Sequence, residues 1–253
     1  MFLKRRHNRN QRHNVAGAQS GAQYPENQPS LQLQAAGAES VYHFPLAMVQ
    51  SLRQMVTRLQ RDGKLAPKIS IVAAHRQEGV SLTALALAAT MAHDLSKTIC
   101  LVDLNWWWPS QIMSDLGSAS PGLAALLRNE IDWEQALVRT SLPNLALLPA
   151  GTVVADYRPV IARSTALKLC IEQLSERVDH ILFDVPAILA TSDAIPLTAL
   201  SDACCVTVRQ GVSTRAAVAH ALDEVSHLAM LGVVLNRVQI ATPQRLLKWV
   251  PEE

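Results

Sequence analysis

The stretch from Val72 to Thr83, reading Val-Ala-Ala-His-Arg-Gln-Glu-Gly-Val-Ser-Leu-Thr, holds part of the chemistry of a phosphate-binding loop. Such a loop needs small residues so that backbone N–H groups can face phosphate oxygens, a lysine to counter their charge, and a Ser or Thr hydroxyl for magnesium. Gly79 and Ser81 meet the first and third needs. Val80 stands where the lysine belongs, Gln77 where a second glycine would help, and Leu82 where a second hydroxyl residue is usual. Asp103 and Asp184 each close a short apolar run, which places a carboxylate where a strand gives way to a loop. Such aspartates could simply cap the following turns, and Ser81 could be an ordinary helix N-cap.

Runs of β-branched and other apolar residues position these groups. Strands are expected over 69–73, 98–103, 145–148, 180–184, 203–208 and 231–235, with helices near 81–93, 121–128, 132–139, 163–177 and 213–229. Strands apolar on both faces and separated by helices imply an α/β fold, a mostly parallel sheet covered by helices on both sides. In that architecture ligands sit at the carboxyl ends of the strands. A further helix is expected from Pro45 to Arg61, because Leu46, Val49, Leu52, Val56 and Leu59 recur at three- and four-residue steps and Gly63 follows.

Residues 1–40 are rich in Asn, Gln, Gly, Ala, Ser and Pro and are expected to form a disordered leader, with 41–253 a single domain. The formal charge of +2 hides a basic cluster, Lys4, Arg5, Arg6, Arg9 and Arg12. Residues 4–13 could therefore touch an anionic membrane surface, or simply form a solvated arm. Cys100, Cys170, Cys204 and Cys205 lie in apolar runs without metal or redox spacing and are expected in a reduced core. With no apolar run of about 18 residues, a cytoplasmic location is expected, with any attachment to the inner face of the membrane through a partner or the protein's surface.

Taken in order along the chain, the motifs resemble the bacterial tyrosine kinase (BY-kinase) family, cytoplasmic partners of polysaccharide co-polymerases within the wider MinD/ParA group of P-loop ATPases. Glu78, Gly79 and Ser81 match that family's S-x-x-x-G-E-G-K-S-T loop, and the segment Asp103 to Pro109 matches its D-x-D-x-R-R-P signature in part. Gly122, Leu123 and Leu127 fit G-L-x-x-x-L, and Asn144 to Gly151 fits N-L-x-x-L-P-A-G. Asp184-Val-Pro186 and Asp193-Ala194 fit the Walker B region; Val208 to Thr214 fits V-x-x-G-x-T imperfectly, and Gly232 to Arg237, which includes Asn236, fits G-V-V-L-N-R completely. The resemblance covers about residues 45 to 237. It implies a P-loop fold with nucleotide contacts from Glu78, Gly79, Val80, Ser81, Leu82 and Asn236, and magnesium at Ser81, Asp103 and Asp184.

Several departures bear on activity. Besides Val80, the signature carries Asn105 in place of its second carboxylate and Trp107-Trp108 in place of its arginine pair, while His75 falls where MinD/ParA relatives often have a second lysine. The family's C-terminal tyrosine cluster has no counterpart in residues 242–253, the tyrosines being Tyr24, Tyr42 and Tyr157. Of the ring-forming helix only Leu52 and Arg53 match, within Ala47 to Arg53. Phosphoryl transfer rests on positioning and charge neutralisation, so losing the lysine and a carboxylate is expected to slow it by orders of magnitude.

These points lead to a catalytically impaired, tyrosine kinase-like regulator or assembly component of exopolysaccharide or capsule biosynthesis. Its expected partner is a membrane-bound co-polymerase or assembly protein, with homo-oligomers also open and nucleic acid not expected. No cofactor is expected to be required; ATP with magnesium, if retained, would be held weakly. The alternatives are a weakly active autokinase or ATPase using Asp103 and Asp184, and a MinD/ParA-like positioning protein. Trp106, Trp107 and Trp108 cannot all face one core from an extended segment, so at least one is expected to be exposed, as a partner contact, as filler of the nucleotide site, or as loop packing.

Overall fold

The computed structural model describes residues 31–117 and 120–238. A seven-stranded sheet runs in the order β5-β6-β4-β7-β3-β8-β9. Its members are β3 (Lys68–Val72), β4 (Ile99–Asp103), β5 (Val138–Arg139), β6 (Leu145–Leu148), β7 (His180–Asp184), β8 (Ala203–Arg209) and β9 (Ala229–Asn236). Every pairing is parallel except the short edge pair β5–β6. The helices are α1 (Leu46–Arg61), α2 (Val80–Asp94), α3 (Gln111–Gly117), α4 (Gly122–Leu127), α5 (Trp133–Ala136), α6 (Arg158–Ala162), α7 (Thr165–Ser175), α8 (Ala194–Thr198) and α9 (Arg215–Glu224).

Alternation along the strands divides the core in two. Ile69, Ile71, Ile99, Leu101, Leu182 and Cys205 face one layer with α1, α2 and α3. Val72, Cys100, Val102, Phe183, Cys204 and Val206 face the other, with α4, α7, α8 and α9. All four cysteines are buried and free. Helix α2 is buried nearly all round from Thr83 to Ala92. Alanines at 84, 86, 88, 89 and 92 let it lie closely between the sheet and α1 while keeping high helix propensity. Helix α1 buries Val49, Leu52, Val56 and Leu59, the stripe its periodicity predicts.

Three expectations change. Residues 31–40, assigned to the leader, include β1 (Leu31–Gln34), which pairs antiparallel with β2 (Val41–Phe44) in a separate two-stranded sheet. Leu33 and Phe44 are buried from this hairpin, because the alternation Leu-Gln-Leu-Gln supplies one apolar face that the core covers. The rest of the leader, including residues 4–13, lies outside the described residues, as does the chain after Val238.

The helix expected over 132–139 is only α5, opened by a capping box between Asp132 and Gln135. Leu137 is already extended, and Val138 pairs with Leu147 because the sheet edge offers backbone partners that a second helical turn would forgo. The helix expected to 229 stops at Glu224, and Ala229 begins β9 against Ala203. Among the described residues no helix is long and apolar enough to cross a membrane.

Candidate functional site

The carboxyl ends of β3, β4 and β7 meet at one place. From β3 the chain enters the loop His75–Gly79, and α2 starts at Val80. Gly79 is the residue before the helix, with φ +101°, and a Cβ there would come within 2.0 Å of the Asn236 amide nitrogen at the end of β9. That amide donates to the Glu78 carbonyl at 2.9 Å. Glycine is thus required by both its torsion and the close approach. Gln77, where a glycine was wanted on sequence grounds, does adopt a positive φ of 65°, a conformation that costs a non-glycine residue about 1 kcal/mol.

The loop is held at both ends. Glu78 is fully buried; its carboxylate accepts from the His75 N–H at 3.0 Å and from the Ser213 hydroxyl. Arg209 donates to the Gln77 carbonyl at 3.1 Å. Glu78 therefore turns its charge inward, away from the cavity, and sequence reasoning missed both Arg209 and Ser213 as its supports. Their motif, Val208 to Thr214, was visible, but nothing in it says that it latches a loop 130 residues earlier.

Val80 and Ser81 are the first two residues of α2, so the cap is Gly79 and not Ser81. Val80 packs with the apolar layer around α1 and α2, and Leu82 does likewise. Asp103 and Asp184 end adjacent strands in direct register. Asp103 caps a turn, accepting from the Asn105 N–H at 2.8 Å. Asp184 does not, since neither of its buried oxygens has a hydrogen-bond partner. Burial pushes the Asp103 carboxyl up to about 6, with backbone N–H groups of Asn105 and Ala150 opposing. Burial, then the charge of Asp103, raises Asp184 well above the ordinary carboxylate range, and the nearby Ser81 hydroxyl offsets part of this without a well-formed hydrogen bond.

A fully buried carboxylate with two unpaired oxygens, beside a second carboxylate and a hydroxyl, is the oxygen donor set of a hard divalent cation such as magnesium. The residues present fit that ion: Ser81, Asp103 and Asp184 would hold it, and when bound it would neutralise phosphate charge.

The three tryptophans part company. Trp106 is buried and donates its Nε1–H to the Ala150 carbonyl at 2.8 Å, so the partner role expected for it is wrong: alternation turns it into its own core. Trp107 is half-buried against the same layer, its ring centroid 6.1 Å from that of Trp106. Trp108 is half-buried at the mouth of the loop cavity, with the Arg76 guanidinium 4.5 Å above its ring. None of the three is fully exposed. Asn105 fixes the turn, its Oδ1 accepting from the Trp108 N–H at 3.1 Å.

The remaining motifs explain themselves as scaffolding. Gly122 (φ +72°) opens α4 against the segment ending at Gly151, and a Cβ on Gly122 would strike the Pro149 carbonyl at 2.4 Å. The Pro149 and Ala150 carbonyls accept the first N–H groups of α4 from Leu123 and Ala124. Asp193 opens α8 and is paired with Arg163. Thr214 caps α9 through the Ala217 N–H.

No family model matches the chain. Tyrosine-protein kinase CpsD of Streptococcus agalactiae is 27% identical over 187 residues, covering 72% of this chain and 80% of that protein. Tyrosine-protein kinase YwqD of Bacillus subtilis is 25% identical over 170 residues, 66% of this chain and 71% of that protein. In structure, the kinase domain of Escherichia coli tyrosine kinase ETK superposes with a TM-score of 0.66 at 18% identity, covering 77% of this chain and 78% of that one. The septum site-determining protein MinD of Pyrococcus horikoshii, complexed with Mg-ADP, gives 0.54 at 19% identity, covering 72% and 76%. The homologues of this chain are thus bacterial tyrosine-protein kinases, and its fold, a mostly parallel sheet clad by helices, is that of the MinD-like P-loop NTPases.

Proposed function

We propose that this chain is a catalytically impaired, tyrosine kinase-like P-loop protein that regulates or assembles exopolysaccharide or capsule biosynthesis by engaging a membrane-bound co-polymerase or assembly protein. The observation that carries the impairment is Val80: at the first residue of α2, where the loop would present its lysine to a phosphate, the cavity is lined by an aliphatic side chain that also packs on the apolar layer. Transfer of a phosphoryl group depends on charge neutralisation at that group, and an aliphatic side chain supplies none. Asn105 deepens the loss, because it spends its side chain on the turn to Trp108.

The polysaccharide role and the partner follow from the resemblance to bacterial tyrosine kinases. On the acceptor side, Tyr42 donates to an Asp115 carboxylate oxygen at 2.9 Å and is pushed up to about 12, chiefly by burial, so it loses its proton less readily, and Tyr157 is the exposed tyrosine among the described residues. The test is phosphotyrosine formation on the full chain with ATP and magnesium, beside Val80→Lys and Asp184→Ala. An unmodified natural chain supports the proposal.

A second reading, a slow ATPase or autokinase, is favoured by the intact Ser81, Asp103 and Asp184 set; phosphotyrosine or ADP release abolished by Asp184→Ala would select it. The positioning-protein reading rests on residues 4–13 and has no observation in the described fold to advance it.

A further inference from the structure

We infer that Arg76 supplies the positive charge missing at Val80, so that the loop cavity still holds the phosphates of a nucleoside diphosphate or triphosphate with magnesium. The inference rests on reading this cavity as a phosphate site, as the proposed function does, and adds the residue that makes it one. The cavity, about 370 Å³, is lined by the loop residues 75–77 and 79–82, by the Asn105 and Trp108 segment, and by Val185 and Ala187 after β7. Arg76 is its one permanently charged lining residue among the described residues.

An arginine on an exposed loop would ordinarily sample solvent. This one lies over the Trp108 ring at 4.5 Å, on the wall of the cavity, and Trp108 is in turn fixed by Asn105. Stacking of a planar guanidinium on an indole face leaves its edge N–H groups free, and those are the groups that bind phosphate oxygens in pairs. The carboxylate nearest in sequence, Glu78, does not compete for Arg76, because it is buried and accepts from His75 and Ser213. On the far side of the loop Arg209 is used in holding the Gln77 carbonyl.

The backbone N–H groups at the start of a 15-residue helix add their share of positive potential. Asp184 independently points to a charged ligand. It is fully buried, both of its oxygens are unpaired, and the next residue, Val185, lines the cavity. A carboxylate left in that state calls for a cation, and a divalent cation held by two carboxylates and a hydroxyl has positions left for phosphate oxygens. Of the groups that would hold that ion, Ser81 lines the cavity together with Arg76, so the ion and the guanidinium would share the neutralisation of phosphates bound there. The arrangement retains binding without restoring the lysine's reach along α2, so it is compatible with impaired transfer.

The test is calorimetric titration of the full chain with ADP plus magnesium and, separately, pyrophosphate plus magnesium. Arg76→Ala, Trp108→Ala, Val80→Lys and the Arg76→Ala/Val80→Lys pair are run beside it, with thermal melts to show that each is folded. The expected result is that the natural chain binds both probes and that Arg76→Ala weakens both by about tenfold to a hundredfold, the worth of a charge-assisted hydrogen bond or two. Trp108→Ala weakens them less, and Val80→Lys restores binding to the Arg76→Ala chain. Equal binding by the natural chain and folded Arg76→Ala overturns the inference while leaving the cavity a phosphate site. Binding by Val80→Lys alone overturns it too, since Arg76 then fails to replace the lysine. If neither the natural chain nor Val80→Lys binds either probe, the reading of the cavity itself falls.

Discussion

Asp103 and Asp184 are register partners at the ends of adjacent parallel strands, and both carboxyls are buried. Burial raises the cost of ionising both, and the charge of Asp103 adds to that cost at Asp184. The folded chain therefore holds protons here that the unfolded chain has released, so stability falls as pH rises above the unfolded value near 3.8, through about 6 for Asp103 and beyond that for Asp184. For Asp103 alone the loss is on the order of 2 to 3 kcal/mol. Chemical denaturation between pH 4 and pH 8 should show that decline, and Asp184→Asn should flatten it and be the more stable chain at pH 8. Magnesium should raise the melting temperature of the natural chain at pH 8 and leave Asp184→Asn unmoved.

Gly79 and Asn236 test the closure of the loop. Gly79→Ala combines a positive φ with a Cβ placed 2.0 Å from an amide nitrogen, and should cost about 2 kcal/mol or more. Asn236→Ala in the same chain removes the collision but not the torsion. Urea midpoints should show the double variant recovering part of the loss, with about 1 kcal/mol remaining.

Trp106 and Trp108 should behave as different kinds of residue. Trp106→Ala empties a buried site and leaves the Ala150 carbonyl without its indole donor, so it should destabilise by about 3 to 5 kcal/mol. Trp108→Ala should cost under about 1.5 kcal/mol, since it gives up a half-buried ring and one stacking contact. Equal losses would mean that Trp108 belongs to the core as well.

Leu33→Ala should cost about 2 to 4 kcal/mol, because Leu33 is buried from β1 beneath the α1 and α2 layer. A neutral result in thermal denaturation would show that the hairpin contributes nothing to the fold.

Arg53 and Asp94 join α1 to the end of α2 through a paired guanidinium–carboxylate contact at the surface. Asp94 is held below the usual carboxylate range, first by that hydrogen bond. Because Arg53 is about half exposed, Arg53→Ala should cost no more than about 1 kcal/mol, and 0.5 M salt should narrow the difference.

The sheet was legible because its strands are apolar on both faces and alternate with helical stretches. Six strands, and the helices α1, α2, α4 and α7, fall close to their expected places for that reason, whereas the short helices α3, α6 and α8 carried no expectation. The carboxylates and the loop were legible because a strand-to-helix turn bounded by apolar runs has few other uses.

What escaped was set by contacts distant in sequence. Val138-Arg139 is a strand only because β6 lies beside it, and residues 31–34 only because Val41–Phe44 turn back along them. Periodicity within 132–139 cannot distinguish one helical turn followed by an edge pair from two helical turns. Asn105 read as a lost carboxylate, and its work in building a turn is visible only in three dimensions. Arg76 carried no expectation of its own, since its partner Trp108 lies 32 residues away.

Among the described residues the last strand, β9, has one neighbour, β8, and its terminal Asn236 side chain occupies the space beside Gly79. The same side chain donates to the Glu78 carbonyl, so the chain's last described strand closes the loop that its first parallel strand opens, and the cavity is framed by residues 158 positions apart.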